Sequence, residues 1–149
     1  MSIGIRTINV LAANQSVNTS TALVAATGLT FPLAAGKAAK FRFWVPFTLA
    51  GTASGAKFQV VPPTSPTLYL MSWWLYSGAS TGSLAGFADQ TTSAAFSNAL
   101  ASAANHLMVA EAYIIANTAG NVVLQFAQLV SDAANITLLQ GATMDITAL

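Results

Sequence analysis

The chain has 149 residues and a mass of 15.3 kDa, one domain's worth of polypeptide, for which area scaling gives a folded monomer of roughly 7,200 Å² built around a true core. Five Lys+Arg and four Asp+Glu leave a net charge of +1, and 6% of the residues are charged while 54% are hydrophobic, against about 25% charged in ordinary domains. These figures exclude a disordered tail and a highly charged, solvated monomer; they describe a protein with much surface to hide.

Residues 1–20 read as an N-terminal arm or first strand, with weak strand character over 3–11, and 21–149 as a β-sandwich domain. A further weak strand covers 21–25, and Thr27-Gly28 and Ala34-Ala35-Gly36-Lys37 read as turns. The clearest signal lies at 39–49. There Phe41, Phe43, Val45, Phe47 and Leu49 alternate with Lys40, Arg42, Trp44, Pro46 and Thr48, which places five apolar side chains on one face of a strand. Pro46 lacks an N–H and predicts an edge position or a bulge. Gly51 to Gly55 reads as a hairpin loop, Phe58 and Val60 frame Gln59 in the next strand, and Pro62-Pro63 to Pro66 turns the chain again. A weaker strand follows at 67–76, and Gly78 to Gly86 carries turn chemistry.

Residues 93–107 are Ala-rich, with Phe96, Ala99, Leu100 and Ala103 at helical spacing; they read either as one short helix crossing an end of the sandwich or as a small-residue loop. Beyond them Leu107, Val109, Tyr113 and Ile115 share a strand face with Glu111. After a turn at 117–121, Val122, Leu124 and Phe126 oppose Val123, Gln125 and Ala127. Short strands at 136–139 and 144–147, separated by Gln140-Gly141, close the chain. Regularly spaced strands without βαβ alternation predict an all-β, antiparallel sandwich or barrel, and the sandwich is the expectation.

Composition narrows the partners. Arg6, Lys37, Lys40, Arg42 and Lys57 are too few and too dispersed to neutralise a phosphate backbone, so nucleic acid is not an expected partner. There is no cysteine, hence no disulfide frame and no thiolate nucleophile. No apolar run approaches the roughly 18 residues of a membrane helix, and the start of the chain lacks the pattern of a secretory signal, so no membrane partner is expected. Without a leader, the glycosylation sequons at Asn14, Asn18 and Asn135 read as incidental.

Candidate chemistry is thin. His106 is the single histidine, and Asp89, Glu111, Asp132 and Asp145 are the carboxylates. Gly78-Ala79-Ser80-Thr81-Gly82 spells a nucleophile elbow, yet that motif works only on a strand-turn-helix, and a Ser/Thr/Gly-rich stretch produces the spelling by composition. Glu111, in an apolar strand, is the one candidate for a general acid; the plainer reading is a polar contact inside the sandwich or at a subunit interface. Gly51 to Lys57 fails the phosphate-loop spacing, and no calcium-type loop or histidine pair occurs. No catalytic residue, metal or cofactor is expected. Trp73, Trp74 and Tyr76 are more informative, because alternation sends one tryptophan into the core and the other outward, where aromatic rings anchor interfaces or stack on sugars.

Two stretches together resemble β-sandwich virion proteins of tailed bacteriophages. The first runs from Thr21-Ala22-Leu23-Val24 through Thr27-Gly28-Leu29-Thr30-Phe31-Pro32-Leu33-Ala34-Ala35-Gly36-Lys37, the strand of Phe41, Phe43 and Phe47, and Gly55-Ala56-Lys57-Phe58. The second spans 113–128 and ends in Leu138-Leu139-Gln140-Gly141-Ala142-Thr143-Met144. The resemblance covers about two thirds of the chain and departs from the pattern over 71–105. It implies a jelly-roll-like module on the virion, a capsid decoration protein, head fibre or tail component, commonly a homotrimer bound to the major capsid protein or other virion proteins. The low charge agrees with an outer position rather than one facing a genome. The expected contacts are Ile3, Ile5 and Ile8 in a mobile N-terminal segment, and Trp73, Trp74 and Tyr76. A receptor- or glycan-binding tip on the same sandwich is the alternative, and a small outer-membrane barrel a more distant one.

Overall fold

Alternation over 39–49 dictates a strand with one apolar and one wet face, and in a computed structural model of the chain that strand is the middle of the fold. The structure describes residues 4–51, 54–78, 84–100 and 104–149. Its strands are β1 (Ile5–Val10), β2 (Gln15–Val17), β3 (Val24–Leu33), β4 (Ala38–Leu49), β5 (Ala56–Val61), β6 (Leu68–Tyr76), β7 (Leu84–Gln90), β8 (Phe96–Asn98), β9 (Asn105–Ile115), β10 (Gly120–Gln128), β11 (Ile136–Leu138) and β12 (Thr143–Ala148). They form two sheets, one in the order β1-β12-β4-β9-β6-β7 with β11 also paired to β4 and β2 to β11, the other in the order β3-β10-β5-β8. Every pairing is antiparallel. The predicted all-β sandwich is the fold observed.

Its winding follows from the pairing order. β1 pairs with β12, β3 with β10, β4 with β9 and β5 with β8. The chain is thus doubled back from its ends inward: β2 pairs with β11 in the same sheet as β1 and β12, and the pairs that follow alternate between the sheets, as in a jelly roll. β6 and β7 are inserted between β5 and β8 and extend the larger sheet outward from β9. Residues 5–10 form a first strand, paired along their length with β12.

The core lies where the sheets face each other. From β4 it takes the predicted Phe41, Phe43, Val45, Phe47 and Leu49; β10 adds Val122, Leu124 and Phe126, and β9 adds Met108, Ala110 and Ile114. Aromatic rings bridge the sheets. Phe47 meets Phe58 edge-on at 5.2 Å, Phe58 stacks on Phe96 at 6.0 Å, and Phe96 on Trp73 at 4.6 Å. Offset and edge contacts of this kind add to simple burial.

Four sequence expectations are corrected. Thr27-Gly28 is not a turn but lies inside β3, where Gly28 has φ +84° and the register against β10 shifts, so the glycine serves a bulge. Pro46 is in an interior strand: its carbonyl accepts from Leu139 N at 3.0 Å, so its missing N–H faces the gap between β11 and β12, where no ladder bond is lost. The strands on either side of Gly51 and Gly55 do not close a hairpin, because β4 and β5 belong to different sheets. Among the described residues no helix crosses an end; in 93–107, Phe96 and Leu100 enter the core, and β8 pairs with β5. Cross-strand pairing and burial there outweigh the helical propensity of alanine.

Candidate interaction surface

Two strands of alternating sequence side by side align their outward residues into rows. On the outer face of the larger sheet, Trp44 of β4 and Trp74 of β6 both sit opposite Val109 of β9, and Trp74 sits opposite Phe87 of β7. The neighbouring row is Pro46, Leu107, Tyr76 and Leu84. Val109 is buried between the two taller tryptophans, so the rows enclose a groove of about 410 Å³. Of the nine large apolar side chains that stay exposed among the described residues, Ile8, Val10, Trp44, Leu70, Leu84 and Phe87 stand on this face. Trp44 is 47% exposed and Phe87 68%. The outer face of the smaller sheet differs: Thr30, Gln59, Asn121 and Gln125 stand there beside Pro32 and the half-buried Val61 and Val123, and none of the nine belongs to β3, β5 or β10.

The next row is charged: Asp145, Arg42, Glu111, Ser72 and Asp89 lie opposite one another across β12, β4, β9, β6 and β7. Arg42 Nε is 3.3 Å from Glu111 Oε1, and Ser72 donates to Asp89 at 2.5 Å. The Arg42 guanidinium also lies 5.8 Å from the ring centre of Trp44. Of five cations and four carboxylates in the chain, three of each are on this face, the others being Arg6 and Lys40, so its net charge is zero. Glu111 is therefore outside the sandwich, exposed and ion-paired, rather than a polar contact inside it; the face it shares with Leu107 and Val109 is the outer one.

At the sheet edge Arg6 clips β1 to β12 through Asp145, with Nε at 3.0 Å and Nη2 at 2.5 Å. The hydrogen bond from Arg6, more than its charge, holds the Asp145 carboxyl below the ordinary carboxylate range. A depressed carboxylate contributes stability above its unfolded pKa of about 3.9 and loses it as pH falls through the lower folded value. Hydrogen-exchange protection of the β1 amides is thus expected to be steady above about pH 4 and to drop below it, with the drop removed in Asp145→Asn. Unchanged protection at acid pH in the parent chain would show that the clip does not hold β1.

Comparison with known proteins leaves the reading to these residues. No protein family and no curated protein matches the chain. Among solved structures it is similar to one of the Gx strain of infectious bursal disease virus, with 6% identity and a TM-score of 0.25 over 97% of this chain and 35% of that one. It is also similar to the VP2 subviral particle of the same virus, with 10% identity and a TM-score of 0.26 over 98% of this chain and 41% of that one. The chain spans well under half the length of either, and no functional statement rests on likenesses of this size.

The expected contact residues are dispersed by the fold. Ile8, Trp74 and Tyr76 reach the outer face together. Trp73 does not, being buried against Phe96, so it leaves the candidate interface. Ile5 is 74% exposed but belongs to the opposite side of β1, in phase with Met144 and Ile146; Ile3 lies outside the described residues. Sequence reasoning missed Trp44 and Phe87. Trp44 was legible as the large residue out of phase with the phenylalanines of β4, whereas nothing local placed Phe87 beside Trp74.

No reactive constellation accompanies this surface. Among the described residues no three His, Cys, Asp or Glu side chains gather as a metal site, and no helix is long and apolar enough to cross a membrane. His106 is buried, stacked on Phe47 at 5.2 Å, and its Nδ1 accepts from Gly78 N at 3.2 Å. Of the elbow-like pentapeptide, residues 79–82 lie outside the described residues.

Proposed function

We propose that the chain is a non-enzymatic viral structural protein, a capsid decoration (cement) protein that stabilises the outside of a virion shell as a homo-oligomer, with the homotrimer as the arrangement that the phage resemblance implies. One observation carries the reading: six of the nine large apolar side chains left exposed among the described residues share one sheet face, as on surfaces that are covered in an assembly. The sparse charge and the likeness of residues 21–58 and 113–144 to phage virion proteins support it. The aromatic face joins copies, and the joined copies grip the shell through several weak contacts at once, which multiplies affinity.

The test is binding to shells that lack the protein. Trp74→Ala removes an outward ring and leaves the core intact, so unfolding free energy is expected to change by less than about 1 kcal/mol, while apparent affinity for the particle falls about tenfold or more. Parent protein that ignores viral shells would overturn the reading. The alternative, a tail or fibre component that binds glycans, draws on the groove between Trp44 and Trp74, whose size suits a small ligand. Quenching of tryptophan emission by oligosaccharide, with no affinity for shells, would favour it.

A further inference from the structure

We infer that the outer face of the larger sheet is covered by the same face of a second copy, related by a two-fold axis that runs parallel to the strands above the line between β4 and β9. This names the partner at the surface on which the assembly reading rests. The sheet order β1-β12-β4-β9-β6-β7 has that line at its centre. Rotation about it exchanges β4 with β9, β12 with β6 and β1 with β7, and keeps every cross-strand row in place.

The consequences can be read row by row. Arg42 meets the partner's Glu111, and Glu111 the partner's Arg42. Trp44 meets the partner's Val109, the low floor between two tryptophans, so a tall ring enters a groove on each side. Pro46 faces the partner's Leu107, Val10 the partner's Phe87, Asp145 the partner's Ser72, and Lys40 the ring of the partner's Tyr113. No pair of like charges is brought together. Opposite charges meet at the centre, where the axis repeats the contact of Arg42 with Glu111 twice, while Asp145 and Lys40 meet neutral side chains and Asp89 faces Ile8, so the central pair carries the self-complementarity that an isologous contact requires.

Size and geometry agree. Six strands about 4.8 Å apart and four rows about 6.8 Å apart span roughly 29 by 27 Å, which supplies the roughly 800 Å² per partner of a standard stable interface. Sheets pack face to face at about 10 Å with strands turned by about 30°, so the matching is tightest at the centre, on Arg42 with Glu111 and Trp44 with Val109. The assembly is then even-numbered, two copies or six, and the three-fold arrangement of the virion reading is kept as a hexamer in which contacts through other surfaces join three such pairs.

The test separates contacts between copies from the ion pair within one copy. Arg42→Glu alone and Glu111→Arg alone each create like-charge contacts both within the chain and across the axis. Mixed together, the two variants still clash internally but match across the axis, because the carboxylate introduced at position 42 of one copy faces the guanidinium introduced at position 111 of the other. Native mass spectrometry of full-length protein, one variant isotopically labelled, is expected to show heterodimers at least about tenfold more stable than either homodimer, with the parent chain at two or six copies. Circular dichroism checks that both variants fold; should either fail to, Trp44→Lys, which puts a cation on the partner's Val109, is expected to dissociate the parent pair. A parent chain found only as monomer or trimer, or variants whose mixture gains nothing, overturns the two-fold. Shell binding is measured separately, so loss of the pair and loss of the virion reading are told apart; a monomer whose tryptophans are quenched by sugar would overturn the pair in favour of a glycan.

Discussion

Phe47→Ala is expected to destabilise the chain by about 4 kcal/mol and to lower the melting temperature by about 8–16 °C, measured by urea and thermal unfolding. Phe47 is fully buried, and its ring lies between Phe58 of the other sheet and His106 of the neighbouring strand, each at 5.2 Å. Truncation removes the transfer free energy of the ring and leaves a cavity that two stiff sheets cannot close. Against the roughly 5–15 kcal/mol that holds an ordinary domain together, that is a large share. Phe47→Leu, which keeps most of the volume, is expected to cost less than half as much. A loss below about 1 kcal/mol for the alanine variant would mean that the two sheets are not joined through this ring.

Gln128→Leu is expected to be nearly as damaging, about 3 kcal/mol, although it makes the interior more apolar. Gln128 is fully buried at the end of β10. Its Oε1 accepts from Ser20 N and Asp132 N, both at 3.2 Å, and its Nε2 donates to Asp132 O at 3.0 Å and to Ala134 O. One side chain thus ties together backbone groups of two loops, which are also joined by the bond from Thr19 N to Asp132 O. Asp132 O would keep its bond from Thr19 N at 2.8 Å, but leucine would take the bonds of Ser20 N, Asp132 N and Ala134 O, and each buried group left unpaired costs about 1–3 kcal/mol. Gln128→Glu keeps the acceptor and loses the donors, so it should fall on the same side of the parent. A leucine variant as stable as the parent would show that water reaches these loops and replaces the amide.

Much of the fold was legible because strand burial has a period of two and this chain obeys it cleanly. The five inward side chains of β4 are the ones its alternation selects, and β6, β10 and β12 lie close to their predicted positions. Where the signal failed, the cause was a contact from elsewhere in the chain. Gly28 spells a turn, yet β10 holds it in a strand; Pro46 spells an edge or a bulge, and an interruption of the pairing between β11 and β12, not an edge, is what lets it sit in the interior. Alanine-rich 93–107 spells a helix or a loop, yet Phe96 stacks on Trp73 and draws β8 onto β5. For β9 the alternation was visible but its sense was not, since both phases are rich in apolar residues, and the buried phase is the one opposite Glu111.

By itself the sequence determined the class of the fold, the faces of its strongest strands and the shortage of charge, because these depend on composition and on neighbours two residues apart. The tertiary structure alone decided which outward residues meet. Trp44, Trp74 and Phe87 are far apart in the chain and fall into one row through the register of β4, β9, β6 and β7. Register is fixed by long-range pairing that buries one face of every strand at once, and no local pattern encodes it.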